Sequence, residues 1–299
     1  MLELPMHSTT TCHNLFGHEM TVFGNDKIGR KIVRRGLFEE ESLTFLLDLL
    51  GQMQQPLVLD IGANIGNHTL AFAIAAARVH AFEPIDSIYA VLERNISHNQ
   101  LDHVSAHRLA LSDKDEDSAI HLNKSGNVGA SSFDQRNTES EAVIVQRCRG
   151  DELLPALGID RVDLVKIDVE SHEIYVVRGL MNTLRTQRPV ITMEWNDPLT
   201  IERFTGSQEL AFLQSEYTIL VLGRNYDKGW WRGRPLGWLR RKFIKFCGTR
   251  RAVLYDFNPA QIYHNLLLVP KGKEALLAPL LERYEHAFTN KHTGRQFRS

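Results

Sequence analysis

The sequence predicts an α/β fold built on a doubly wound, mostly parallel sheet, with an N-terminal cap before it and a basic insertion late in the chain. Three observations predict it. Short continuous apolar runs recur, as expected of strands buried on both faces. They alternate with stretches whose apolar residues fall three and four apart, the spacing of helices. The join between the first run and the first helix is rich in glycine.

The elements follow in order. Residues 18–23 read as a short strand and 41–50 as a helix, together a cap within residues 1–55. Leu57-Val-Leu-Asp-Ile61, between Pro56 and Gly62, is the first buried strand, and an Ala-rich helix over 67–77 follows it. Residues 78–83 form the next strand, after which Pro84 opens a helix whose Ile85, Ile88, Tyr89, Leu92 and Ile96 keep helical spacing. A third strand is expected over 104–111, and shorter strands over 119–122 and 142–146 flank a polar loop. Val162-Asp-Leu-Val-Lys-Ile167 is another buried strand, followed by a helix over 173–184 and a strand over 190–193. Further on come a helix over 208–215 and strands over 217–222 and 265–269. A last helix carries Leu276, Leu277, Leu280, Leu281 and Tyr284 on one side. One domain over 56–299, with an insertion at 224–262, accounts for the pattern.

Composition narrows the class. In 299 residues, 43% are hydrophobic and 24% charged, which excludes wholesale disorder and collagen. Thirty-five basic residues against 36 acidic ones exclude a uniformly basic nucleic-acid binder. Cys12, Cys148 and Cys247 lie far apart, so neither a disulfide framework nor a CxxC metal site is expected, and a reducing compartment is. The longest apolar run, residues 70–77, falls short of the roughly 20 needed to cross a bilayer, and the N-terminal residues do not read as a secretory signal. The expected location is cytoplasmic, with peripheral membrane contact as its variant. The balance of charge is nevertheless uneven. Residues 224–251 hold ten basic residues and one acid, a net +9, leaving −10 for the rest. Trp230, Trp231 and Trp238 sit in the same stretch.

In doubly wound sheets ligands gather at the carboxyl ends of the strands near the switch in strand order. There the chain reads Asp60-Ile-Gly62-Ala-Asn-Ile-Gly66, whose glycines let the backbone turn sharply and bring a helix N-terminus close to a ligand. The pyrophosphate fingerprint G-x-G-x-x-G is absent because Asn64 stands at its second glycine, and no P-loop occurs. A nucleoside without a polyphosphate fits better. Glu83, at the end of the second strand, is placed to accept hydrogen bonds from both hydroxyls of a ribose; the bland reading is a solvated acid at a helix start.

Four segments taken together resemble the FkbM family of S-adenosylmethionine-dependent methyltransferases. They are Val58-Leu-Asp-Ile-Gly-Ala-Asn-Ile-Gly-Asn67; Ala81-Phe-Glu-Pro84 with Leu92 and Asn95; Ala110-Leu-Ser112; and Asp163-Leu-Val-Lys-Ile-Asp-Val-Glu170 with His172 and Glu173. Gly36-Leu-Phe-Glu39 resembles a segment that precedes this core, and Ser171 stands where the family usually has glycine. The resemblance implies a Rossmann-like, class I methyltransferase fold with S-adenosyl-L-methionine as cofactor. It implies that Asp60, Gly62, Ala63, Asn64 and Gly66, with Asn67, hold the methionine part, that Glu83 beside Pro84 holds the ribose, and that Leu111 and Ser112 edge the adenine. By the same analogy Asp168 faces the methyl acceptor as general base, with Glu170, His172 and Glu194 as competitors. Asp168, Glu194 and Asn196 are the oxygen donors that would surround Mg²⁺, but no contiguous ligand motif supports a metal and none is assigned. The thirteen histidines include no zinc-protease spacing.

The Asn/Asp-Pro-Pro-aromatic motif common in amino methyltransferases is missing after the strand that ends at Ile167, where Asp168-Val-Glu-Ser stands instead. The expected reaction is therefore O-methylation of a hydroxyl on a sugar or other small-molecule biosynthetic intermediate. The alternative is a non-catalytic nucleoside-binding module that docks on a membrane or partner through residues 224–251. In that stretch Leu236, Leu239, Phe243 and Phe246 share a helical face, Arg241, Lys242 and Lys245 lie opposite, and Arg240 sits at the edge. It reads either as a lid packed over the active site or as a contact for a membrane or an anionic substrate. Arg232, Arg234, Arg240, Arg241, Lys242 and Lys245 would make that contact; nucleic acid is disfavoured.

Overall fold

The computed structural model describes residues 8–122, 131–134, 141–227, 236–246, 250–281, 283–284 and 286–287. Strands β1 (Thr9–His13) and β2 (Glu19–Phe23) form an antiparallel hairpin. Helix α1 (Lys27–Arg35) starts at Asp26, whose carboxylate accepts from the Ile28 and Gly29 amides, and stops at the left-handed Gly36. Then come α2 (Glu40–Leu50), β3 (Leu57–Ile61), α3 (Asn67–Phe72), β4 (Arg78–Phe82), α4 (Asp86–His98) and β5 (Val104–His107). The next elements are β6 (Ala110–Ser112), β7 (Glu116–His121), β8 (Ala142–Arg149), α5 (Gly150–Ala156) and β9 (Leu164–Ile167). They lead to α6 (Glu173–Gly179), α7 (Met181–Thr186), β10 (Val190–Trp195), α8 (Pro198–Phe204), α9 (Gln208–Glu216) and β11 (Tyr217–Arg224). Last are α10 (Gly237–Phe246), β12 (Ala252–Asp256), β13 (Tyr263–Pro270), a 3-10 turn (Glu274–Leu277), α11 (Ala278–Leu281) and β14 (His286–Ala287).

The chain divides into two compact units, Met1–Glu39 with Gln55–Pro189 and Glu40–Gln54 with Val190–Ser299. In the first, β9, β3, β4 and β5 lie side by side and all pair in parallel. Strand order runs outward from β3 through β4 to β5, then returns to put β9 on β3's other flank. The carboxyl ends of β3 and β9 therefore meet at the switch point where doubly wound sheets hold ligands. Their apolar runs, such as Val58, Leu59 and Ile61 or Leu164, Val165 and Ile167, are buried throughout, as the continuous hydrophobic pattern requires.

The stretch expected to be one strand over 104–111 divides. β5 stays in the parallel sheet, whereas β6 pairs with β8, which also pairs with β7, in a separate small sheet. The helix expected over 173–184 breaks into α6 and α7 at Leu180. Gly179, just before the break, lies so close to β6 that an added Cβ would sit 1.8 Å from the Ser112 carbonyl oxygen. The helix after β3 is shorter than expected, ending at Phe72.

The hairpin in front of the sheet is tied to α4 by two amides that imitate a neighbouring strand. Asn95 accepts from the Thr21 amide at 2.7 Å and donates to its carbonyl at 3.0 Å. Asn99 repeats the pattern one turn later on Glu19.

In the second unit β10, β13, β11 and β12 pair antiparallel in that order, with β14 alongside β12. Trp195, Tyr217, Phe45 and Phe204 are its largest fully buried side chains among the described residues. Helix α2 belongs to this unit: its Asp48 accepts a hydrogen bond from the Tyr284 hydroxyl at 2.6 Å, and its Glu41 one from Tyr226 at 3.0 Å. Burial, and then the negative Glu41, push the Tyr226 hydroxyl up to about 12, so it remains a donor.

Candidate active site

The turn after β3 is built from backbone geometry that its sequence permits. Gly62, Asn64 and Gly66 all have positive φ, at 77°, 51° and 92°. Gly62 has a second reason to be glycine, since a Cβ there would lie 1.8 Å from the carbonyl oxygen of Asp168 at the end of β9. The two strand ends are pressed together. Ala63 and Ile65 point into the core, while Gly62 and Asn64 stay partly exposed. Gly66 then starts α3, and buried Asn67 reaches back to Phe38, accepting from its amide and donating to its carbonyl, both at 3.0 Å. That pair of bonds fastens Gly36-Leu-Phe-Glu39 to the turn. His68 next to it is buried 3.8 Å from Glu39; burial and then the Lys166 charge lower its pKa, so the neutral ring is favoured.

Two carboxylates stand at the ends of neighbouring strands, and a third lies across the switch point. Asp60 is fully enclosed. One oxygen accepts from the Thr69 hydroxyl at 2.7 Å and the other faces the Lys166 ammonium at 3.0 Å. Lys166 also donates to the Gly62 carbonyl at 3.1 Å and lies 3.4 Å from Asp168. A single buried cation thus joins β3, the glycine turn and the end of β9. The side chain of Asp168 keeps 31% of its surface exposed, and Lys166 approaches it from the inner side.

Glu83 follows β4 and is 5% exposed. Its carboxylate accepts from the Asn64 amide at 3.1 Å and from Ile85 at 3.0 Å, and its own amide donates to His107 on β5. Burial pushes its pKa from 4.5 up to about 7; the Ile85 and Asn64 amides and then Lys166 pull the other way, and Asp60 adds a smaller push. Pro84 beside it is half-buried, and α4 begins two residues later, at Asp86.

The other residues assigned from the sequence have distinct settings. Leu111 and Ser112 are buried on β6. Ser112 Oγ lies 2.9 Å from Nε2 of His172, whose ring packs between Phe133 and Tyr175 at centroid distances of 4.4 and 4.6 Å. His172 is 3% exposed and so enclosed. Glu170 and Ser171 have positive φ, 50° and 74°, so Ser171 adopts the conformation that glycine, its usual counterpart in the FkbM family, adopts most readily. The Glu170 carbonyl accepts from Ser132 at 2.9 Å. Glu194 is buried on β10 in the second unit, opposite Asn265 of β13. Asn196 is exposed beside it. The following Asp197-Pro198 proves to be a helix start, with Asp197 accepting from the Leu199 amide at 2.8 Å and Pro198 in the first turn of α8. Thr69 and the Phe38–Asn67 clamp were not singled out in the sequence; a hydroxyl one turn into the helix that follows a buried Asp is the signal that could have found Thr69.

A parallel sheet with a glycine turn after one strand and a buried acid after the next defines a nucleoside-binding α/β domain of the methyltransferase class. The FkbM methyltransferase domain matches residues 60–218, more than half of the chain, and the chain belongs to that family. Hexuronic acid methyltransferase AglP from Haloferax volcanii is 31% identical over 144 residues, covering 48% of this chain and 58% of that protein. Methyltransferase sdnD from Sordaria araneosa is 25% identical over 206 residues, 58% of this chain and 78% of that one. The crystal structure of a methyltransferase FkbM from Methylobacillus flagellatus KT aligns with a TM-score of 0.40 at 13% identity, over 72% of this chain and 43% of that one, a likeness too slight to add to the family match.

The cofactor of the family is S-adenosylmethionine, and the residues fit it. In the turn from Gly62 to Gly66 the one bulky side chain, Ile65, is buried, and the acid at the end of β4 is a buried carboxylate held by two amides. No helix among the described residues is long and apolar enough to cross a membrane.

Proposed function

We propose that the protein transfers a methyl group to a hydroxyl of a sugar or other small-molecule biosynthetic intermediate. The observation that carries this reading is the half-exposed Asp168 at the switch point, tethered by Lys166 to the same turn that would receive the cofactor. The Haloferax volcanii relative, named for hexuronic acid methylation, supports an acceptor of the uronic-acid kind. The reading of a non-catalytic nucleoside-binding module is not favoured by the family match.

Gly62, Ala63, Asn64, Gly66 and Asn67 would shape the pocket for the methionine end, Glu83 with Pro84 would take the ribose hydroxyls, and Leu111 and Ser112 would border the adenine. Asp60 acts through the turn, because both its oxygens are already engaged by Thr69 and Lys166. Bound there, S-adenosylmethionine supplies a methyl already activated on a sulfonium. The chain's own task is alignment, worth about 7–11 kcal/mol for well-oriented reactants, and removal of the hydroxyl proton. Asp168 is the group we assign to accept that proton, a contribution of about 10²–10⁴ in rate. Lys166, 3.4 Å away, holds it in place. Glu170, His172 and Glu194 remain as alternatives, of which His172 is the least accessible. Incubating the protein and S-adenosylmethionine with uronic acids and other sugar intermediates, followed by mass spectrometry, tests the reading. A product heavier by one methylene that Asp168→Asn forms at least about a hundred-fold more slowly supports it. An unchanged rate in that variant removes Asp168 as the base.

A further inference from the structure

We propose that helix α10 is a docking surface for an anionic phospholipid bilayer, on which the protein sits without crossing it. Ten large apolar side chains stand exposed among the described residues, and four of them, Leu236, Trp238, Leu239 and Phe243, fall within eight consecutive positions. Leu236, Trp238 and Phe243 are each more than 60% exposed and Leu239 is 50%. The helix is therefore not packed on the protein by its apolar stripe, as a lid would be. The side turned inward is instead carried by buried Gly237 with half-buried Arg241 and Ile244.

The arrangement around the stripe selects the partner. Leu239 and Phe243, one turn apart, continue the side begun by Leu236. At helical spacing Arg240 borders this stripe on one side and Lys242 on the other, both exposed, with Trp238 beyond Lys242 and its ring centroid 5.7 Å from the Lys242 ammonium. An apolar strip edged by cations and an indole is what a helix needs to lie in the plane of a negatively charged membrane surface. The leucines and phenylalanine enter the acyl boundary, the tryptophan settles at headgroup depth, and the cations meet lipid phosphates. No acid interrupts the helix, and residues 224–251 as a whole carry +9. An acidic protein groove would match the charge but would not call for four large apolar groups held in water. A nucleic acid would match the cations and leave Leu236, Leu239 and Phe243 idle. Arg232 and Arg234 lie outside the described residues, as does the side chain of Lys245, and the surface stands without them.

The test is cosedimentation of the full chain with vesicles of phosphatidylcholine alone or mixed with phosphatidylglycerol, at low and high salt. The expected result is binding to the mixed vesicles, weakened by salt and absent from the neutral ones. Each cation near the surface is worth about five-fold in partitioning, so Arg240→Ser with Lys242→Ser should lower binding roughly twenty-five-fold. Leu239→Ser with Phe243→Ser should abolish it. Both pairs are exposed and remote in sequence from the glycine turn, so an unchanged affinity for S-adenosylhomocysteine certifies that each variant is folded. That control also separates this proposal from the methyl-transfer reading, which stands or falls on its own. Absence of binding to mixed vesicles overturns the proposal. So does equal binding by both double variants, or stronger salt-sensitive retention on single-stranded RNA than on the vesicles.

Discussion

The ends of β3 and β4 each bury a carboxylate, and the two are treated in opposite ways. Asp60 is met by a hydroxyl at 2.7 Å and an ammonium at 3.0 Å, which leaves it a neutralised anchor. Glu83 receives only two backbone amides and is pushed up to about 7. Each has two partners, but only those of Asp60 include an opposite charge; a buried carboxylate set against a cation serves the fold, whereas one held by neutral amides is the better placed to gain from a ligand. The contrast teaches that two acids 23 positions apart, similar by sequence, meet different surroundings, which is why we propose Asp60 to hold the turn and Glu83 to receive the cofactor.

The largest way to break the contrast is to remove the cation. Lys166→Met strands Asp60 as a buried, uncompensated charge and should cost about 3–5 kcal/mol in urea unfolding. Adding Asp60→Asn should return part of it, and a Lys166→Met chain as stable as wild type would show that Asp60 has no need of its partner.

Next is pH. Folding raises the Glu83 pKa from 4.5 to about 7, so the folded chain holds a proton that the unfolded chain releases in that window. This group's contribution to stability is complete below about 4.5 and is lost as pH rises to about 7, by up to about 3 kcal/mol. Denaturation across that range, with Glu83→Gln as reference, isolates it: the variant should lack this part of the slope. A slope identical in both chains would place the Glu83 proton elsewhere.

The smallest change sharpens the Asp60 side. Thr69 is fully buried, and Thr69→Val keeps its shape while removing the donor to Asp60, at an expected cost of about 1.5–3 kcal/mol. The turn should loosen without losing its lysine, so affinity for S-adenosylhomocysteine should fall less than in Lys166→Met.

Much of this half of the molecule was legible in the sequence. The parallel strands β3, β4 and β9 announce themselves as short apolar runs because both their faces are covered. The glycine turn and Glu83 were readable because their offsets from those strands are local. Lys166 stands out locally only as a cation inside an apolar run; its bond to Asp60 spans more than a hundred positions and no local pattern encodes it. The same limit hid the division of residues 104–111: β6 leaves the main sheet to pair with β8, some thirty-seven positions on, and nothing within β6 records that choice. Helix α1 has no strong periodic signal because five of its nine residues are basic and few are apolar, although Asp26 and Gly36 mark its two ends in the usual manner. The apolar face of α10 was readable, but its exposure was not, since periodicity alone does not say whether an amphipathic face meets the core or the outside.

The central claim is that Glu83 completes its partners on the ribose of S-adenosylmethionine, and titration calorimetry with S-adenosylhomocysteine above pH 7 tests it most directly. The account predicts clear binding by the wild-type chain and a loss of roughly ten- to a hundred-fold in Glu83→Gln, the value of a hydrogen bond to a charged acceptor. No heat from the wild-type chain at millimolar ligand, or equal affinity in the two chains, would contradict it.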